Sequence, residues 1–143
     1  MSNSKYKEQI YLLGRIIIAR DLLKELPIKL HSVCNDYTIF PTQYVIDDVK
    51  IESLRMYIVN YLTALIGKRK NDQLSFYNVG SEKHKQRIDE FVKEYEKEYN
   101  YLIAIRDKIY SHYDGDKPIL EGVFNSNFTD RCIDLVKDLI YHT

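Results

Sequence analysis

Apolar side chains recur every three to four residues through most of this chain, and no alternating run of strand length interrupts them. Over about residues 5–26, Leu12, Ile16, Ala19, Leu23 and Leu26 share one helical face, widened by Ile10, Leu13 and Ile17, and Pro27 ends the run. The following stretch, to about Thr42, mixes polar and aromatic residues with two prolines and reads as a connector. A second helix is predicted over about 44–66, with Ile51, Leu54, Ile58, Tyr61 and Leu65 on one side. Gly67 and then Lys68-Arg69-Lys70 provide a C-terminal glycine and cations suited to the helix dipole. Ser81 is placed to cap a long third helix with the stripe Ile88, Phe91, Val92, Tyr95, Tyr99, Leu102 and Ile109. It ends near Asp114-Gly115-Asp116 after about 45–50 Å. A last helix, opened by Asn127 or Thr129, carries Cys132, Ile133, Leu135, Val136, Leu139 and Ile140. The expected fold is all-α, an antiparallel bundle of about four main helices forming a single domain over residues 1–143.

The size suits that expectation, because 143 residues can bury a core without disulfides or metal. Twenty-one basic residues balance twenty-one acidic ones, which excludes a histone-like binder and requires that any polyanion be met by a local patch. Lys68-Arg69-Lys70 and Lys83-His84-Lys85 with Arg87 flank one loop and are candidates for such a patch, as well as for an ordinary solvated charge run. Cys34 and Cys132 are far apart and read as free thiols of a reducing compartment. The first residues lack the apolar core of a signal peptide, and no apolar run reaches the roughly 18 residues that span a bilayer, so a cytoplasmic chain with no membrane partner is expected. His31 with Cys34, or His112 with Asp114 and Asp116, form no complete metal-ligand set, and no phosphate-binding loop or dinucleotide fingerprint is present. Neither metal nor cofactor is expected.

The position that breaks the pattern is Arg106. Counted at about 100° per residue from Ile88, it returns to the middle of the apolar stripe after five turns. A guanidinium there needs a carboxylate, a second subunit or an anionic ligand, since arginine is almost never buried alone. Tyr110 and Tyr113 lie within about 40° of the same direction, which makes the seam locally polar and makes both candidates for substrate binding. His112 lies about 120° around and roughly 9 Å along the axis, so within one straight helix the pair does not stack into a tight dyad, whereas two copies meeting across a symmetry axis could converge.

The segment Arg106-Asp107-Lys108-Ile109-Tyr110-Ser111-His112 resembles the arginine, polar residue, spacer and histidine motif of the HEPN superfamily, in its abortive-infection and toxin branches. The resemblance implies a helical bundle that forms a homodimer, with arginine and histidine of both copies lining one metal-independent ribonuclease cleft. Carried over, Arg106 and His112 are the catalytic pair and Asp107 takes the polar position. RNA is then the substrate, and a cognate antitoxin protein is an implied partner. Asp114 stands where one toxin branch has a tyrosine modified by its antitoxin, so that form of control is not implied.

The residue types suit the chemistry. A histidine near pKa 6.5 can take the 2′-hydroxyl proton or protonate the leaving oxygen. An arginine offers fixed donors to a phosphate, and Asp107 can orient a neighbouring arginine or histidine. Beside this stand plainer readings: Arg106 as a core-edge arginine paired with a carboxylate of a neighbouring helix, His112 as a helix-terminal residue interacting with the dipole, and the whole as a non-catalytic HEPN-like module binding a nucleotide or a protein, or as a simple helical scaffold.

Overall fold

The computed structural model describes residues 3–26, 42–109, 123–124 and 127–143, and these contain helices and no strand. The longer elements are α1 (Asn3–Lys24), α2 (Thr42–Ile66), a single turn α3 (Phe76–Val79), α4 (Glu82–Glu94), α5 (Glu96–Ile109) and α6 (Phe128–Tyr141). None is long and apolar enough to cross a membrane. The connector that precedes α2, with His31 and Cys34, lies outside the described residues.

Helical spacing places the core. Leu12, Leu13, Ile16, Ala19 and Leu23 of α1 are buried, as are Ile51, Ile58, Val59, Leu62, Leu65 and Ile66 of α2. The buried face of α2 is rotated from the expected one. Leu54 and Tyr61 sit at its edge, while Arg55 and Leu62 are inside, because α2 packs against α1, α3, α5 and α6 rather than against one neighbour. α1 and α2 run antiparallel. Arg15 of α1 lies 5.0 Å and 5.5 Å from the ring centres of Tyr57 and Tyr61, while Gln9, earlier in α1, reaches past the end of α2 to donate to the Leu74 carbonyl at 2.7 Å. In the same way His84 and Arg87 of α4 meet Leu139 and Asp138 of α6, and Phe91 stacks on Phe128 at 5.8 Å.

The long third helix is replaced by two. Tyr95 takes φ −117° and ψ 39°, outside the helical region, so α4 ends at Glu94 and α5 begins at Glu96. Its ring packs on Phe91 at 4.9 Å and on Phe128 at 6.0 Å, which ties the break to the N-terminus of α6. Aromatic contact outweighs the continuity of one helix here. The start of α4 follows the sequence: Ser81 accepts the His84 amide, and His84 Nδ1 accepts the Ser81 amide at 2.8 Å. With Nδ1 an acceptor, the ring proton resides on Nε2, which donates to the Leu139 carbonyl at 2.9 Å. Asn127 occupies the N-cap position of α6 but makes no side-chain cap bond, and Thr129 is buried inside the helix.

Candidate functional site

The turn between α2 and α3 builds the surroundings of Arg106. α2 stops at Ile66, and the Gly67 amide donates to Thr63 O at 2.9 Å. Gly67 follows the helix end as the sequence suggests, but not in a left-handed conformation, since no described glycine has positive φ. It is needed for space instead. A Cβ at 67 would lie 2.4 Å from both Thr63 O and the Asp72 carboxylate Oδ2. That close approach brings Asp72 back under the helix end. The turn is then pinned from several sides: Ser75 Oγ donates to the Gly67 carbonyl, Asn78 Nδ2 donates to the carbonyls of Arg69 and Asp72, and Gln9 holds Leu74. From α5 the Tyr99 hydroxyl donates at 3.0 Å to the Ile66 carbonyl, one of the groups a helix end leaves open. Burial pushes the Tyr99 phenol up to about 12, with the Asp72 charge adding to the rise and the Arg106 charge opposing it.

Arg106 projects from α5 into this turn. Its side chain is 13% exposed, and Nη1 donates to Asp72 Oδ1 at 3.2 Å and Oδ2 at 3.3 Å, with Asp72 itself 14% exposed. The Asp72 carboxylate also accepts the Arg69 amide at 3.3 Å. Thus the cation is answered by a carboxylate, as the core-edge reading required, but one supplied by a loop rather than by a neighbouring helix. Arg106 Nη2 is buried and has no hydrogen-bond partner among the described residues. On the solvent side Arg106 Nε lies 3.6 Å from Asp107 Oδ1, and the other face of Asp107 is ion-paired with Arg69 Nη2. Two arginines and two aspartates therefore alternate around the junction of the turn with α5.

An open groove of about 440 Å³ runs along this cluster. Lys68 and Arg69 line it from the turn, and Tyr99, Asn100, Arg106 and Asp107 line it from α5, with Ile103 and Ala104 between them. Lys68 is held by Asp89 at 2.6 Å and lies 5.2 Å from the Tyr77 ring centre. Lys68 and Arg69 thus turn to carboxylates of other helices rather than cap α2. The second basic run is also engaged: Lys85 with Glu82, His84 with Leu139, and Arg87 with Asp138 and Glu90. Donation to the Asp138 carboxylate raises the Arg87 pKa, burial opposes the rise, and donation to Glu90 adds to it.

Of the residues singled out in the sequence, Arg106 and Asp107 lie together in the groove, whereas Tyr110, His112 and Tyr113 lie outside the described residues. Asp72, Arg69 and Tyr99 complete the site. The signal for Asp72 was indirect: a buried guanidinium demands a carboxylate, and a glycine beside a basic run marks where a loop can bring one in. Cys132 is a free thiol buried in the core of α6, where burial pushes its pKa up well above that of an ordinary thiol, so it is an inert packing residue. The chain matches no family model, no curated protein and no solved structure.

Proposed function

We propose that the chain is a HEPN-like, metal-independent endoribonuclease of a defence or toxin–antitoxin type, acting as a homodimer in a reducing, cytoplasmic setting and restrained by a cognate antitoxin. Arg106 would engage the scissile phosphate and His112 would move the proton, with Asp107 positioning the arginines beside them. In the reaction the RNA 2′-oxygen attacks phosphorus as its proton leaves, and the bond to the 5′-oxygen breaks as that oxygen is protonated, giving a cyclic phosphate and a 5′-hydroxyl. The placement of Arg106 carries this reading. It stands in the wall of an open groove beside Lys68 and Arg69, held in place by Asp72 through Nη1, so that a fixed guanidinium forms part of the surface an incoming phosphate meets.

The test is cleavage of a mixed RNA pool by the purified chain in the presence of a chelator. The parent should cleave, and Arg106→Ala and His112→Ala should each slow cleavage by about 10²- to 10⁴-fold. A His112→Ala protein as fast as the parent removes the acid–base assignment. Sedimentation should give twice the 17.0 kDa chain mass, and a monomer at working concentration removes the shared cleft.

One observation favours a second reading, a non-catalytic HEPN-like module that binds a nucleotide or a protein. A guanidinium already neutralised by Asp72 is well suited to a fixed binding wall. Intact RNA with saturable nucleotide binding, lost in Arg106→Ala, is the outcome that would select it.

A further inference from the structure

Asp107 is the point at which the two arginines of the groove converge. Arg69 Nη2 pairs with one of its oxygens and Arg106 Nε faces the other at 3.6 Å. Two guanidinia arranged around one oxyanion make an anion seat, and a phosphodiester presents the same pair of oxygens as a carboxylate. The two carboxylates of the cluster differ in how firmly they are held. Asp72 is 14% exposed, accepts a backbone amide and fills the space left by Gly67. Asp107 is 40% exposed and its partner Arg69 is 50% exposed, so water can replace this pair at little cost. Asp107 also rides on α5 beside Arg106, where rotation of its side chain empties the seat without moving the helix.

We propose that the Asp107 carboxylate is a stand-in anion in a two-arginine phosphate seat formed by Arg69 and Arg106. An incoming phosphate group displaces it, so Asp107 restrains binding rather than contributing to it. The proposal rests on the nuclease reading only for the source of the phosphate, which is an RNA strand. It changes the part given to Asp107, from positioning residue to competitor. It also explains how a chain with no net charge can carry a polyanion site: the positive charge of the groove is cancelled locally until substrate arrives.

The experiment measures binding of a fluorescent 2′-O-methyl RNA strand, which lacks the attacking hydroxyl, to the 143-residue chain at several salt concentrations, with inorganic phosphate as competitor. Asp107→Asn should bind about fivefold tighter than the parent at low salt, with a salt slope steeper by about 0.7, the value for one added phosphate contact on a single strand. Arg69→Ala should bind at least about fivefold more weakly. Asp134→Asn on α6 makes the same charge change on an exposed residue away from the groove and should leave affinity within about twofold. The seat is overturned if Asp107→Asn binds no tighter than Asp134→Asn, or if Arg69→Ala binds as the parent does. Displacement of the strand by millimolar phosphate, more readily from Asp107→Asn, supports a seat for the phosphate group itself. Phosphate binding with no strand binding in any variant overturns RNA as its source. The two readings fail separately. Tighter binding by Asp107→Asn with no cleavage of ordinary RNA keeps the seat and removes the nuclease. Cleavage lost in His112→Ala without tighter binding by Asp107→Asn does the reverse.

Discussion

Asp72 and Asp107 both touch Arg106, yet their burial predicts opposite consequences for losing them. Removing Asp72 leaves a guanidinium that is 13% exposed with its main counter-charge gone, so Asp72→Ala should cost about 3 kcal/mol and lower the melting temperature by roughly 10 °C. Asp107→Ala should change stability by less than about 1 kcal/mol, as exposed pairs do. Thermal melts followed by circular dichroism compare the two directly, and equal losses would contradict the division. Tyr99 gives a signature in pH. Its phenol has an ordinary value of 10.0 and is held at about 12 in the fold, so the native state keeps a proton that the unfolded chain gives up. Its contribution is complete below pH 10 and is lost as pH rises toward 12, an effect of order 2 kcal/mol. Tyr99→Phe should lose about 1 kcal/mol at neutral pH, for the bond to Ile66, and should show a flatter alkaline limb in denaturant titrations between those pH values.

At the scale of elements, the contact between α4 and α6 hangs on a few side chains. His84 closes the cap of α4 through Nδ1 and reaches the end of α6 through Nε2, so His84→Ala removes two roles at once and should cost about 1–2 kcal/mol. Hydrogen exchange should then rise first in the last turn of α6, whereas a uniform rise through all helices would place the loss elsewhere. These helices were largely legible in the sequence. The faces of α1 and α6 follow from their three-to-four spacing, and Ser81 marks the start of α4, because periodicity and capping are local properties. The break at Tyr95 was not legible. Glu94-Tyr95-Glu96 contains no glycine or proline, and the cause is a ring contact with Phe128, far along the chain. Likewise α3 is one turn, too short to leave a period, and Asp72 sits in a turn where no repeat exposes its role. Arg106 stood out because one charge in an apolar stripe is a local contradiction; its partner did not, because the partner comes from another element.

For the whole molecule, the described helices form a continuous core in which α2 is central and the groove lies at the edge where α2 gives way to α5. The turn of residues 67–75 receives side chains from α1 through Gln9, from α3 through Asn78, and from α5 through Arg106. A surface connection is ordinarily the first part of a protein to open. This one acts as a keystone, since lifting it means releasing three helices together. The amide protons of Gly67, Asp72 and Ser75, each bonded within the turn or to the end of α2, should therefore exchange only as fast as the entire fold opens. A protease that nicks ordinary loops should leave this stretch whole until the bundle itself comes apart.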